Sequence, residues 1–176
     1  IFCQGLGAMV EKLRANGCSN FQYVPASTSA HRFNSRHEER KIKYDVVMIG
    51  NRIIRKNPFL TMPGTRLRVK LVKLFYKEFG DRFAVYGHGW KGPFAKGAIP
   101  FLDQVKAYQQ SRLVIGNNNL NAPYYFSNRL PIALTSGVPV LYNQEEGLKE
   151  LFSNEFPFLY QQPKEALNLA KQLLDK

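Results

Sequence analysis

Short apolar runs that end in glycine recur along this sequence, and they constrain the fold more than any other feature. Three of them are YDVVMIG, RFAVYG and RLVIG, which end at Gly50, Gly87 and Gly116. Apolar runs without polar alternation are typical of strands that are buried on both faces of a parallel sheet. Two further runs, over 138–142 and 156–160, have the same character. The sequence therefore predicts five strands of a mostly parallel sheet.

Segments with helical periodicity separate these apolar runs. Between the first two, the segment 62–79 places Leu67, Leu71 and Phe75 on one face, and Gly80 follows its end. The same reasoning predicts further helices over 100–110, 128–136, 145–152 and 163–176. Strands that alternate with helices in this way indicate an α/β fold built on a parallel sheet.

Polar and glycine-rich segments follow the three glycine-terminated strands. They are Asn51-Arg52, His88-Gly89-Trp90 and the triple asparagine of 117–119. Right-handed crossovers bring the carboxyl ends of parallel strands to one edge of the sheet. Open α/β sheets bind their ligands at that edge. We therefore expect a ligand site where these segments meet.

The triplet Ser127-Asn128-Arg129 begins the predicted helix over 128–136 at the same edge. Ser127 or Asn128 is expected to cap this helix, whose free N–H groups suit an anion. The Arg129 guanidinium adds a planar pair of donors that fits phosphate oxygens. An ordinary cap, a turn histidine and an ion-paired arginine would each look the same in isolation. Their convergence on one edge is what predicts an anion site.

The net charge of +12 is concentrated in the first part of the chain. Residues 1–96 contain 18 Lys and Arg against 6 Asp and Glu, whereas residues 97–176 contain 7 of each kind. Such a field favours anionic partners, which include phosphorylated ligands, acidic glycans, nucleic acid and a membrane surface. A solubilising face explains the asymmetry equally well.

The first 43 residues differ in character from the rest. A helix is predicted over 6–16 and a short strand over 21–25, and the polar segment 26–43 has the composition of a linker. Two isolated cysteines, Cys3 and Cys18, predict free thiols and a reducing, cytoplasmic location.

The sequence contains no run that approaches the roughly 20 apolar residues needed to cross a bilayer. Its apolar opening has no preceding basic segment and is a poor signal peptide. The chain also does not begin with Met, and we expect it to be a piece of a longer protein.

The order of four motifs resembles the C-terminal half of a GT-B fold glycosyltransferase, most closely of the group 1 enzymes and their spore-maturation (CgeB-like) branch. The motifs are YDVVMIGNR, FAVYGHGW, GAIPFLDQVKAYQQSRLVIGNN and YFSNRLPIALTSGVPVLYNQEEGLKELF. This resemblance implies a Rossmann-like donor-binding domain over 44–176, an open and mostly parallel sheet with helices on both faces. It also implies that 1–43 are the tail of an acceptor domain and the interdomain linker.

The resemblance implies that a nucleoside-diphosphate sugar binds at the carboxyl edge of the sheet, without a bound metal. It implies contacts to the diphosphate or sugar from Gly50, Asn51 and Arg52, and to the donor from Gly87, His88, Gly89 and Trp90. It further implies contacts to the base from Ile99 and Pro100, and to the diphosphate end from Tyr125, Phe126, Ser127, Asn128 and Arg129.

One position departs from the family pattern. The family usually places a glutamate three residues after the motif arginine, where it holds the ribose, but this sequence has Ile132 there. Glu145 or Glu146 is the candidate replacement. The resemblance also implies that this chain alone lacks the half of the cleft that an acceptor domain provides and is inactive by itself.

The implied function is transfer of a sugar from a nucleoside-diphosphate sugar to a glycan, protein or small-molecule acceptor. One alternative is an inactive glycosyltransferase-like binding module, which Ile132 favours. Another is a nucleic-acid-binding protein, which the charge suggests. The sequence contains no zinc finger, helix-turn-helix or RNP segment, so nucleic acid is the weaker expectation.

Overall fold

The computed structural model describes residues 2–29, 33, 40–54, 56–57, 59, 61–152 and 157–175. Its strands and α-helices, in chain order, are β1 (Phe2–Cys3), α1 (Ala8–Ala15), β2 (Gln22–Tyr23), β3 (Tyr44–Ile49), α2 (Pro63–Phe79), β4 (Phe83–Tyr86), α3 (Gln104–Gln109), β5 (Ser111–Gly116), α4 (Arg129–Thr135), β6 (Val140–Asn143), α5 (Leu148–Leu151), β7 (Phe158–Tyr160) and α6 (Pro163–Leu174). Single turns of 3-10 helix at Gly80–Arg82 and Phe101–Asp103 precede β4 and α3.

Five strands form one sheet in the order β4-β3-β5-β6-β7, and every neighbouring pair is parallel. The central position of β3 explains its continuous apolar run, because both of its edges and both of its faces are covered. Val47 pairs with Ala84 of β4 on one side and with Val114 of β5 on the other, and all three are buried. The predicted α/β fold with a parallel sheet is confirmed.

Helices cover both faces of the sheet and bury two apolar cores. On one face, Leu130 and Ala133 of α4 pack against a core that includes Val47. On the other face, Phe75 of α2 and Ala170 of α6 pack in a second core. The Rossmann-like arrangement predicted from the resemblance is therefore present.

Most predicted elements are present, but some begin or end at other residues than predicted, for local chemical reasons. The strand predicted over 138–142 starts later, at Val140, because Pro139 has no N–H to donate to the sheet. The helix predicted over 145–152 is only Leu148–Leu151, and Gly147 precedes it with φ of +82°. The strand predicted over 156–160 corresponds to β7, Phe158–Tyr160. Residue 156 lies outside the described residues.

The short strand predicted over 21–25 is present as β2, and it pairs in parallel with β1, which the sequence did not predict. Two-residue strands are too short to show an alternating pattern. Leu6 N–H donates to the Pro123 carbonyl at 2.8 Å, and the Tyr23 hydroxyl donates to the Tyr124 carbonyl at 2.6 Å. This segment therefore contacts the loop that leads to α4.

Much of the predicted linker, 30–32 and 34–39, lies outside the described residues. Phe33 is buried in the core beside Phe101, so at least one linker residue packs against the sheet domain. The domain boundary at residue 43 stays a prediction.

Cys3 and Cys18 are free thiols, as the sequence predicts. None of the helices in the described part of the chain combines the length and the apolarity that crossing a membrane requires.

Candidate functional site

A small cleft of about 190 Å³ lies at the carboxyl ends of β3 and β4, where the sequence predicts a ligand site. The residues that line it come from separate parts of the chain: Ile49, Gly50, Asn51, Gly87, His88, Ala98, Ile99, Gln104 and Arg129. Amide, imidazole and guanidinium groups therefore line one cleft, and isoleucine side chains form its apolar wall.

Hydrogen bonds join the two turns that leave β3 and β4. The Asn51 side-chain oxygen accepts from the His88 N–H at 2.9 Å, and the Arg52 N–H donates to the His88 carbonyl at 2.8 Å. Gly87 has φ of +137°, and a Cβ added there would lie 2.5 Å from the Gly50 carbonyl oxygen. Only glycine permits this approach, so residue 87 sets how close the two turns come.

Trp90 holds this part of the cleft in place without lining it. Its indole N–H donates to the Gly50 carbonyl at 2.6 Å, and its ring packs edge-on against Phe94. The Arg52 guanidinium donates to the Gly89 carbonyl at 3.3 Å. Arg52, Gly89 and Trp90 therefore stabilise the turns rather than face the cleft.

A buried arginine outside the set predicted from the sequence borders the cleft. Arg68 of α2 is 1% exposed and donates to the Asn51 carbonyl at 2.6 Å. It also donates to the side-chain oxygens of Asn117 and Asn119, each at 2.8 Å. Burial, together with the nearby charge of Arg129, lowers the pKa of Arg68 to about 10, so this guanidinium stays cationic at neutral pH.

Neither Arg68 nor Arg129 forms an ion pair with an acidic side chain in the described part of the chain. Two cations therefore lie close to each other without a carboxylate to neutralise them. A site of this kind has a positive potential that favours an anionic ligand over a neutral one.

Asn118 positions the segment that leads into α4. Its side chain is buried, and its oxygen accepts from the Ser127 N–H at 3.1 Å and from the Tyr142 hydroxyl at 2.6 Å. Its side-chain nitrogen donates to the Tyr125 carbonyl at 2.8 Å. One asparagine at the end of β5 thus fixes the backbone directly before Arg129.

Arg129 is the first residue of α4, and buried residues on the same helix, Leu130, Ile132 and Ala133, hold it against the sheet. Its guanidinium makes no hydrogen bond to any described residue, although it lines the cleft. It is therefore available to a ligand, and its planar donors suit phosphate oxygens.

The predicted side-chain cap of α4 is wrong. Asn128 occupies the cap position with a helical backbone, φ −55° and ψ −18°, and no side chain caps the helix. Capping needs a residue with an extended backbone, which directs the side-chain oxygen at the free N–H groups. The Ser127 hydroxyl lies 3.4 Å from the Tyr142 hydroxyl instead.

Ile132, at the position where the family usually has glutamate, is completely buried in the core and lines no part of the cleft. The proposed replacements, Glu145 and Glu146, also lie outside the cleft lining. Glu145 accepts from the Asn143 side chain at 2.5 Å, and burial raises the pKa of its carboxyl.

The structure brings together part of the predicted donor-binding set, namely Gly50, Asn51, Gly87, His88, Ile99 and Arg129. Tyr125, Ser127 and Asn128 belong to the segment that leads to Arg129, and Pro100 is an exposed neighbour of Ile99. Phe126 is 4% exposed and packs edge-on against Phe152, so it is a core residue. It is not among the residues that line the cleft.

Sequence reasoning missed Gln104 and Arg68, together with the cleft residues Ile49 and Ala98. The sequence does contain a signal for Gln104 and Arg68. Arg68 falls on the apolar stripe of α2 beside Leu71, and Gln104 falls on the apolar stripe of α3 beside Tyr108. A polar residue at a buried position of an amphipathic helix indicates a buried polar network or a site.

Across the described residues, no three His, Cys, Asp or Glu side chains come together as metal ligands would. The expectation that donor binding needs no metal stays a prediction.

Three structures of larger proteins have a similar fold. An α1,3-fucosyltransferase with GDP has a TM-score of 0.58 at 11% identity over 78% of this chain. A mutant of S. aureus TarM in complex with fondaparinux, α-GlcNAc-glycerol and UDP has a TM-score of 0.61 at 13% identity over 95% of this chain. Another TarM structure has a TM-score of 0.57 at 14% identity over 96% of this chain.

The present chain spans about a third of the length of these proteins, 36% of the fucosyltransferase and 35% of each TarM chain. At such low identity the likeness shows the fold alone. Among curated proteins, none matches the sequence significantly.

A family model described as glycosyl transferase-like matches residues 66–176, which is more than half of the chain and includes Gly87, His88, Gln104 and Arg129. The chain belongs to this glycosyl transferase-like family.

Proposed function

We propose that this chain is the donor-binding portion of a glycosyltransferase, which transfers a sugar from a nucleoside-diphosphate sugar to an acceptor. The observation that carries the proposal is the unpaired guanidinium of Arg129 in the cleft, with the buried cation of Arg68 close by. Family membership supports the transferase class. The GDP and UDP in the structures of the similar proteins support a nucleoside diphosphate as the ligand.

The chemistry of the transfer gives Arg129 a specific role. An acceptor hydroxyl oxygen bonds to the anomeric carbon of the sugar while the bond from that carbon to the diphosphate oxygen breaks. The hydroxyl proton passes to a base, and the diphosphate leaves with the electron pair of the broken bond. Negative charge therefore grows on the diphosphate, and a guanidinium that is already in place stabilises it without reorganisation.

The turns that leave β3 and β4 would contact the diphosphate and sugar from the other side of the cleft. Asn51 and His88 are held to each other by their hydrogen bond, so their positions are fixed before a ligand binds. A fixed site loses less conformational entropy on binding. The finer assignment, to the spore-maturation branch of the family, is part of this proposal and rests on the order of the sequence motifs.

Titration calorimetry with UDP, GDP, uridine and guanosine tests the proposal. We expect at least one diphosphate to bind, and Arg129→Ala to weaken it about 10- to 100-fold, because hydrogen bonds to charged groups contribute roughly 1.5–3 kcal/mol. The affinity for the free nucleoside should change little in the same variant. Lys73→Ala removes one positive charge from an exposed position outside the cleft, and it is the matched control.

Two results would contradict the proposal. Equal losses for the diphosphate and the nucleoside would remove Arg129 from the phosphate role. No response to any nucleotide, together with tight and salt-dependent oligonucleotide binding, would replace the transferase with a nucleic-acid-binding protein.

An inactive binding module is the second candidate, and the burial of Ile132 in the core favours it. Slow hydrolysis of a nucleoside-diphosphate sugar by the full-length protein would support the transferase. Binding of the same sugar nucleotide without release of the diphosphate, in the presence of candidate acceptors, would support the binding module. The same assay on this chain by itself tests the prediction that the chain alone is inactive.

A further inference from the structure

One side chain in the cleft has a buried polar atom that the protein leaves without a partner. Gln104, the first residue of α3, lines the cleft and is 8% exposed. Its side-chain oxygen is buried and accepts no hydrogen bond within the described part of the chain. The only other such atom among the described residues, the Thr28 hydroxyl, does not line the cleft.

The fold itself gives no reason for a glutamine at this position. A buried amide oxygen without a donor destabilises the folded state, whereas an apolar side chain of the same size would not. Val105, which follows on the same helix, is buried without this cost because its side chain has no polar atom. An unsatisfied polar group of this kind in a native structure calls for a partner outside the chain, which in a cleft is a water molecule or a ligand.

The chemistry of a nucleoside diphosphate restricts what that partner is. Its phosphate oxygens are acceptors at neutral pH, so they bind the Arg129 donors and cannot satisfy an amide oxygen. The hydroxyl groups of the ribose and the N–H groups of the base are the donors of the molecule. The last torsion of a glutamine side chain is broad and roughly two-fold, so the amide can rotate to present its oxygen to the cleft.

We infer that Gln104 accepts a hydrogen bond from the nucleoside part of the donor substrate, while Arg129 binds its phosphates. This inference rests on the proposed function. It gives the cleft two chemically different ends, one cationic and one with an amide acceptor. The apolar side chains of Ile49 and Ile99 lie in the same cleft and suit the face of a base.

Two variants and two ligands separate the ends of the cleft. Gln104→Met keeps the approximate size of the side chain and removes the acceptor. We expect it to weaken UDP or GDP about three- to tenfold, the effect of one neutral hydrogen bond, and to change the affinity for inorganic pyrophosphate less than twofold. Arg129→Ala should weaken both the nucleotide and pyrophosphate. Calorimetry of the same protein samples measures all four combinations.

Nucleotide analogues identify which group of the nucleotide donates the hydrogen bond to Gln104, and this test needs no variant of the protein. Wild-type protein is titrated with the 2′-deoxy, 3′-deoxy and N-methylated-base forms of whichever diphosphate binds. We expect one of them to bind about three- to tenfold more weakly than the parent, and to lose no further affinity in Gln104→Met. Loss with a deoxy analogue assigns a ribose hydroxyl, and loss with the methylated base assigns a base N–H.

The outcomes separate this inference from the proposed function. If UDP or GDP binds and depends on Arg129 but Gln104→Met binds it like wild type, Gln104 has no such role and the proposed function stands. If all three analogues bind like the parent, the inference fails without any variant. If no diphosphate binds to the wild type, both are overturned.

Urea unfolding gives an independent readout. Because Gln104→Met removes an unpartnered oxygen from the interior, we expect its midpoint in the absence of nucleotide to equal or exceed that of the wild type. A clear loss of stability would mean that the amide already has a structural partner in the free protein, and that result overturns the inference.

Discussion

Arg68 connects the helix α2 to the edge of the sheet where the cleft lies. Its guanidinium donates to four oxygen atoms, which belong to Asn51, Asn117 and Asn119, and it is almost fully buried. Asn51 in turn accepts from the His88 N–H. Since these contacts continue from one residue to the next, Arg68 is a positioning residue for the cleft as well as a source of charge.

We expect Arg68→Met to lower the free energy of unfolding by about 2–4 kcal/mol. It removes the donor from four oxygen atoms, and each buried unsatisfied group costs about 1–3 kcal/mol before the structure relaxes. Arg68→Lys keeps the charge and loses the planar arrangement of donors, so an intermediate loss is expected. Urea unfolding of the two variants measures both effects.

Lys73→Met is the matched control, because Lys73 is exposed on the same helix. Surface substitutions usually change stability by no more than about 0.5 kcal/mol. Arg68→Met and Lys73→Met of equal stability would mean that the buried network is energetically unimportant.

The sequence predicted the turns and the helix start that line the cleft, but it did not indicate the buried polar side chains beside them. Gly50, Gly87 and Arg129 were found because turns after buried strands and helix starts leave clear signals. Gln104 was missed, since an amide in a helix has many ordinary explanations and only burial without a partner distinguishes it. Phe126 is buried and does not line the cleft, and its predicted contact with the donor stays a prediction.

At the level of elements, β6 and β7 carry buried tyrosines that fix the end of β5. The Tyr142 hydroxyl donates to the Asn118 side chain at 2.6 Å, and the Tyr160 hydroxyl donates to the Gly116 carbonyl at 2.8 Å. Burial raises the pKa of both phenols and of Tyr108 on α3. These hydroxyls therefore keep their protons at a pH where an exposed tyrosine ionises.

We expect the free energy of unfolding to fall as the pH rises above about 10. The unfolded chain loses its tyrosine protons there while the folded chain keeps them, and each such group contributes a slope of about 1.4 kcal/mol per pH unit. Arg68 acts in the opposite direction, because its lowered pKa of about 10 lets the folded state release a proton first. Because the effect of three tyrosines exceeds that of one arginine, the net effect is a lower free energy of unfolding.

Urea unfolding at pH 8 and pH 11 checks this sign. Tyr160→Phe is less stable than wild type at pH 8, since it loses a hydrogen bond, but it should lose less stability between the two pH values. Val140→Ala removes buried volume and no titratable group, so its change with pH should follow the wild type. An equal change with pH in Tyr160→Phe and wild type contradicts the assignment.

The elements themselves were predictable because β3, β4 and β5 are buried on both faces and so have unbroken apolar sequences. The strand order was not predictable from periodicity, since any order of parallel strands buries the same residues. Element ends depended on single residues such as Pro139 and Gly147, which act through a missing donor or a positive φ. The pairing of β1 with β2 depends on contacts with a distant loop and leaves no local pattern.

At the level of the whole molecule, the excess positive charge has more than one location. Arg68 and Arg129 are at or beside the cleft, whereas Lys70, Lys73 and Lys77 are exposed along α2 and line no part of it. The net charge of +12 therefore combines a local site with a general surface field. These two contributions respond differently to salt, because exposed charges are screened and buried ones are screened much less.

Reversing the charge of the three lysines separates these contributions. We expect wild-type protein to bind a single-stranded oligonucleotide only weakly, with a Kd on the order of 10⁻⁴–10⁻⁶ M that rises steeply with salt. The triple variant Lys70→Glu, Lys73→Glu and Lys77→Glu should lose most of this binding and keep its affinity for UDP or GDP within about twofold. Calorimetry at two salt concentrations measures both ligands, and Arg129→Ala should give the reverse pattern. Oligonucleotide binding that persists at high salt, or that UDP displaces, would place nucleic acid in the cleft itself and contradict a site built for a nucleoside diphosphate.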